Sequence, residues 1–224
     1  MPTGKDSLSL SQQYPNGEKI ISPGTVIVTS GGEVSDIRKV VSPVLVNDKN
    51  SRLYHIDFSF CEQELGGSAF AQSLNKVGDD VPTVKNPQYF CQCFEAVQEL
   101  INRGWILAGH DISAGGLITT LLEMTFANVE GGLRVNLHDI KGDDVVRKLF
   151  AENPGVVIQV SDEHADEGRD FLVGVALLRH AIEALVAVEE VGGLVPDVAE
   201  VVDIKLLLEG AIAEAQHATL GRGL

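Results

Sequence analysis

The stretch Trp105-Ile106-Leu107-Ala108-Gly109-His110-Asp111-Ile112-Ser113-Ala114-Gly115-Gly116-Leu117 runs from apolar residues into a polar, glycine-rich turn and back again. The short apolar run 105–109 reads as a strand, His110–Gly116 as a loop, and the residues from Leu117 to about Ala127 as a helix. Strand, loop, helix is a layout that suits phosphate. Glycines let backbone amides approach an anion closely, and the first turn of a helix leaves N–H groups unpaired. Ser113 adds a hydroxyl donor, and Asp111 offers a hard oxygen of the kind that Mg²⁺ shares with phosphates. His110 either orients that carboxylate or reaches a substrate. A plainer reading stands beside this one. Gly115 and Gly116 then only make a tight turn, Ser113 caps the helix, and Asp111 stabilises its positive end. The residue types alone leave both open.

Working outward, Leu53–Phe58 alternates apolar and polar as a half-buried strand does, and Gly66-Gly67-Ser68 precedes a helix over 69–74. Pro87 starts another helix, with Phe90, Phe94, Val97, Gln98 and Ile101 near one face and Asn102-Arg103-Gly104 as its stop. Gly131-Gly132 ends this unit. Strands follow over 133–137 and 155–160, with a short helix over 145–152 between them. Upstream, Pro23-Gly24 is a turn signal, Thr25–Thr29 predicts a buried strand, and Val40–Val46 a second one whose Pro43 suggests an edge or bulge. The polar stretch Asn47–Ser51 is the expected boundary. From about Asp162 the texture changes, and 169–191 and 197–218 read as long Ala/Leu/Val-rich helices. With no Rossmann glycine fingerprint, the alternation predicts an α+β fold: a layered mixed sheet with helices and a helical C-terminal tail.

The formal net charge of -15 over 224 residues argues against sequence-independent binding of nucleic acid, which needs Lys and Arg to displace counterions. A nucleotide held locally by amides and a divalent ion is compatible with that charge. The three cysteines, Cys61, Cys91 and Cys93, contain no zinc-like pair and read as reduced thiols. No apolar run approaches the ~20 residues that cross a bilayer, and Met1–Asp6 lacks a basic n-region followed by an apolar stretch. The expectation is a soluble cytoplasmic protein.

Several segments in order resemble the synthetase region of the phosphoribosylformylglycinamidine (FGAM) synthase family. They are Gly4-Lys5-Asp6-Ser7-Leu8-Ser9, Ser22-Pro23-Gly24-Thr25-Val26-Ile27, Val34-Ser35-Asp36-Ile37-Arg38, Leu65-Gly66-Gly67-Ser68-Ala69 and His110–Leu117, then Leu122-Glu123-Met124, Phe126-Ala127, Leu149–Glu152 and Gly155–Val160. The resemblance implies residues 1–50 as the end of a second A domain and 51–165 as a second B domain like the C-terminal domain of aminoimidazole ribonucleotide synthetase; 166–224 departs from the family's pattern as a divergent helical tail that either completes the B domain or packs on it. It implies Asp111 at a Mg²⁺ site and Ser113, with Gly115 and Gly116, against ATP or a structural ADP. It also implies the family's chemistry, in which ATP phosphorylates an amide oxygen of formylglycinamide ribonucleotide and glutamine-derived ammonia displaces phosphate to leave an amidine. Partners would be the remaining synthetase domains and a glutaminase domain, and the chain alone would be inactive. Two alternatives remain: a non-catalytic packing module, and another ATP-binding synthetase of the same superfamily.

Lys5 sits in a glycine-led loop that can face phosphate, against the alternative of a frayed terminus. Gly66, Gly67 and Ser68 are either a second anion loop or a close-packing turn. Glu123 reads as a solvated or hydrogen-bonded helix carboxylate, and the cysteines as structural. A tail that leaves the sheet without its edge strand would invite self-association.

Overall fold

The computed structural model describes residues 3–7, 11–21, 25–127, 133–176, 182–185 and 201–203. The chain divides into two compact units, Met1–Arg38 and Lys39–Leu224. In the first, β1 (Thr3–Ser7) pairs antiparallel with β4 (Thr25–Thr29), and β2 (Ser11–Gln13) with β3 (Lys19–Ile21). The β2–β3 turn closes on Gly17, whose φ of +87° puts it in the left-handed region that suits glycine. β4 was expected to be buried, yet Val26, Ile27 and Val28 are each more than half exposed. A two-stranded ribbon has no second layer to cover its faces.

The second unit is built on a four-stranded sheet in the order β6 (Ile106–Asp111), β8 (Gly155–Ser161), β5 (Ser51–Asp57), β9 (Ile182–Leu185), with every ladder antiparallel. Alternation along β5 and β8 sends side chains to opposite faces. Leu53 and Val157 join one core with α3 (Gly116–Thr125), while Tyr54, Ile56, Ile158 and Val160 join another with α2 (Pro87–Arg103) and α5 (Asp162–Ala176). Helices therefore cover both faces of the sheet, as the α+β layered reading requires.

α2 forms where the sequence says, for local reasons. Asn86 Oδ1 caps Tyr89 N, Pro87 opens the first turn, and Gly104 closes the helix at φ +72°. Its buried face is turned about one residue from the expected one: Tyr89, Cys93, Ala96, Val97 and Leu100 face the sheet. The small Cys93 and Ala96 let the helix approach closely, and Phe94 is left 51% exposed.

The tail departs most from expectation. Inside the stretches read as helical, Ile182–Leu185 forms β9 on the edge of β5, and Val201–Asp203 forms β10 against β7 (Arg134–Asn136). β9 adds a strand beside β5, so this part of the tail extends the sheet of the second unit. The rest of 177–224, and the Pro23-Gly24 and Gly131-Gly132 turns, lie outside the described residues.

Val40–Val46 is not a strand. It is an irregular segment held by Gly109 N–H to Ser42 O (3.0 Å), Leu45 N–H to Met124 O (3.1 Å) and the buried side chain of Gln159. Gln159 Oε1 accepts from Val46 N–H at 2.9 Å, and its Nε2 donates to Val46 O and Ser51 Oγ, both at 2.8 Å. One amide side chain thus replaces a ladder for this segment. These bonds hold residues 42–46 to the sheet and helices of the second unit, which begins at Lys39. Gln159→Leu should leave Val46 N–H without a partner, while Val46 O and Ser51 Oγ keep their bonds to Asp48 N–H and Asp48 O, and lower the unfolding free energy by about 2 kcal/mol in urea denaturation.

Candidate functional site

Three strand ends meet at one edge of the sheet. The register pairs Asp57 at the end of β5 with Gly155 at the start of β8, and Asp111 at the end of β6 with Val156. The loops that leave these ends, 58–68, 112–115 and 151–154, are therefore neighbours, although they lie far apart in sequence.

β6 runs two residues further than expected, so His110 and Asp111 sit on a strand and are placed by its ladder. Asp111 ends it with a side chain 72% exposed, while His110 is 18% exposed. The His110 ring lies between carboxylates: Nε2 is 3.2 Å from Glu123 Oε2, and Nδ1 is 3.3 Å from Asp111 Oδ1 and 2.9 Å from Asp111 O. A neutral imidazole donates from one nitrogen only, so the tautomer decides which partner it holds. The ring lies within reach of Asp111, the partner expected of it, and Glu123, read as a solvated or hydrogen-bonded helix carboxylate, joins the group. Thr120 Oγ1 donates to Asp111 O at 3.0 Å and ties α3 to the strand end.

The glycines have internal work. Gly115 (φ +91°) is the N-cap of α3, with no side-chain cap bond, so Ser113 is not a helix cap but an exposed hydroxyl one turn earlier. Gly115 N–H donates to Glu152 Oε1 at 2.8 Å, and Gly116 N–H to Ser113 O at 3.0 Å. Both amides expected to face phosphate are engaged within the chain. Gly116 (φ +73°) is buried against the end of α4 (Val145–Phe150), where an added Cβ would lie 2.7 Å from Phe150 C and 2.8 Å from Ala151 O.

The Gly66–Ser68 loop behaves likewise. Gly66 N–H donates to Asp80 O (2.7 Å), Gly67 N–H to Val77 O (2.6 Å) and Ser68 N–H to Leu65 O (3.2 Å). Ser68 Oγ caps α1 (Ala69–Ser73) through Ala71 N–H and itself donates to Leu65 O. Of the two readings offered for this loop, the geometry matches the close-packing turn. Lys5 lies on β1 in register with Ile27, and its side chain lies outside the described residues.

Sequence reasoning gave Glu152 no role. Its Oε1 accepts from Ala69 N–H at 2.7 Å as well as from Gly115 N–H, across 83 and 37 residues. Next to it, Asn153 Nδ2 donates to Ser59 Oγ at 3.0 Å and Glu62 O at 3.1 Å, and Phe150 stacks on Phe70 with centroids 4.5 Å apart. The strip 150–153 thus fastens the other two loops to the third. A cavity of about 270 Å³ beside it is lined by His55, Asp57, Tyr89, Arg147 and Asn153 among others. Arg147 is already bonded to Glu64 Oε2 at 2.7 Å.

Among the described residues, no group of three His, Cys, Asp or Glu could hold a metal ion. Asp111 offers one hard oxygen, which falls short of a Mg²⁺ site. Cys93 is fully buried, and burial pushes its thiol up to about 11, so it keeps its proton at neutral pH.

Residues 53–180 match the family model described as AIR synthase related protein, C-terminal domain. The chain is 37% identical over 164 residues to a probable phosphoribosylformylglycinamidine synthase, chloroplastic/mitochondrial, of Arabidopsis thaliana; the match covers 73% of the chain and 11% of that relative. Two solved structures share the fold. Thermotoga maritima PurL complexed with ATP gives a TM-score of 0.52 at 16% identity over 76% of this chain and 27% of that one. PurLQS from Thermotoga maritima gives 0.54 at 15% identity over 82% and 29%. The chain thus spans about a tenth of the curated relative.

The packing around Gly116 sets an expectation. Gly116→Ala should cost about 3 kcal/mol of stability from backbone strain and the clash with α4, whereas exposed Asp111→Ala should stay within ~0.5 kcal/mol, both read by thermal denaturation.

Proposed function

We propose, from the premise that this chain belongs to the AIR synthase related protein C-terminal domain family, that it supplies one wall of a nucleotide site in an ATP-dependent FGAM synthase of purine biosynthesis. The observation that carries the reading is the exposed end of β6, where Asp111 stands 72% exposed beside His110 and two residues before the exposed Ser113. ATP is the ligand named for a Thermotoga neighbour of the same fold. We carry it to this chain as Mg-ATP or Mg-ADP.

In this reading Ser113 donates its hydroxyl to a phosphate oxygen, and His110 holds the Asp111 carboxylate toward solvent. Gly115 and Gly116 shape the turn without donating to the ligand. The wall has no complete metal set, so no step is routed through the metal. The whole reaction would transfer the γ-phosphoryl group of ATP to an amide oxygen, releasing ADP. Ammonia would then attack the activated carbon, phosphate would leave, and loss of a proton would give the amidine. Glutamine as the ammonia source, the other synthetase domains and a glutaminase as partners, and cytoplasmic placement are parts of the same proposal. The Arabidopsis relative is named chloroplastic/mitochondrial. No helix among the described residues is long and apolar enough to cross a membrane.

A packing module is the second reading. It is favoured by the internal engagement of the Gly66, Gly67, Gly115 and Gly116 amides. Calorimetric titration of the full chain with Mg-ADP separates the two. Heat that Asp111→Ala weakens about tenfold or more supports the nucleotide wall, while no heat for the unaltered chain supports packing. Amidine formation by this chain alone from ATP, formylglycinamide ribonucleotide and ammonia is expected to be nil, and turnover would overturn the one-wall reading.

A further inference from the structure

We infer that Glu152 is a positioning residue: one carboxylate oxygen sets the spacing between the 65–69 turn and the 112–116 turn, and so the shape of the wall that carries Ser113. The geometry is specific. Glu152 Oε1 takes Ala69 N–H at 2.7 Å and Gly115 N–H at 2.8 Å, so the two loops are held through a single atom. Bonds to an ionised acceptor are roughly twice as strong as neutral ones, which makes a carboxylate the effective choice for a shared acceptor.

The carboxylate itself is held from both sides along the chain. Ala151 N–H donates to Arg147 O at 3.0 Å, closing α4 just before it. Asn153, just after it, is anchored on Ser59 Oγ and Glu62 O. The backbone carbonyls of Leu149 and Ala151 also press on Gly116, each 2.8 Å from where a Cβ would stand. Glu152 therefore projects from a fixed strip and cannot follow either loop if one moves. A displacement of the 65–69 turn is transmitted to Gly115, and from there to Ser113 two residues earlier. The two glycine-rich loops that looked like separate anion sites form one mechanical unit.

Reach and charge can be separated by substitution. Glu152→Gln keeps the reach and loses the charge; Glu152→Asp keeps the charge and is one methylene short. Hydrogen exchange on the full chain reads the link directly, independently of any ligand. In Glu152→Ala and Glu152→Asp, the Ala69 and Gly115 amides should both exchange about tenfold faster or more, while Glu152→Gln gives a smaller, joint rise. Tyr54 and Ile158 in the sheet should not change. If Ala69 and Gly115 stay protected in Glu152→Ala, or if Glu152→Asp protects them as well as glutamate does, the inference fails.

The consequence for ligand rests on the nucleotide reading above. Mg-ADP affinity should fall about tenfold in Glu152→Asp and less in Glu152→Gln. Unchanged affinity alongside faster exchange overturns the positioning role. No Mg-ADP binding by the unaltered chain overturns the nucleotide reading instead, and the exchange arm still decides the link.

Discussion

β8 is bonded on both sides and covered on both faces, and the second unit depends on that enclosure. Its seven residues pair with β5 along their whole length and with β6 over most of it. Val157, Ile158, Gln159 and Val160 are all at most 2% exposed. Burying such side chains contributes ~1.5–3 kcal/mol each before the cost of ordering the chain. Only one of the four is polar, and Gln159 meets three partners, so an amide in the centre of the sheet carries no unpaired group. With β8 fixed, the ends of its neighbours are fixed too. The ladders set Asp57 and Asp111 at one edge, so the loops of the candidate site inherit their placement from the core.

That inheritance explains what the sequence made legible. Alternation in Leu53–Phe58 and the β-branched run in Gly155–Val160 mark strands, and both strands are where the pattern puts them, although β5, read as half-buried, is buried on both faces from Leu53 to Ile56 because helices cover each side of the sheet. Asn86, Pro87 and Gly104 bound α2 because caps act within a few residues. The buried face of α2 was harder. Phe90 and Phe94 outweigh Cys93 and Ala96 in any hydrophobic count, yet close approach to a sheet favours the small residues. The tail misled for a related reason: Ala, Val and Leu fill helices and edge strands alike, and β9 is selected by its partner β5, not by its own composition.

The site was half legible. Asp111 and Ser113 lie exposed at a strand end as the strand–loop–helix layout requires. The role of the glycines was not readable, because the acceptor for Gly115 is 37 residues away in Leu149–Glu152, a segment whose resemblance to the family says nothing of what its carboxylate bonds to. A glycine-rich turn has the same composition whether its amides face a ligand or a carboxylate from the same chain. Gly116 shows the distinction best, since its freedom is needed against the end of α4 and not toward solvent.

The charges on these loops limit what the wall can do by itself. Residues 65–74, 110–123 and 151–155 contain Asp111, Glu123 and Glu152 and no Lys or Arg. Arg147, nearby in the cavity wall, is paired with Glu64. A polyphosphate approaching Ser113 would meet carboxylates, and like charges repel more strongly as water is excluded. The amides that usually offset such repulsion already donate to Glu152, Ser113, Asp80 and Val77. Positive charge for a phosphate must then come from outside these three loops. A wall with one open hydroxyl and one open carboxylate can orient a ligand, and the positive charge that offsets this repulsion would have to arrive with the nucleotide's own Mg²⁺.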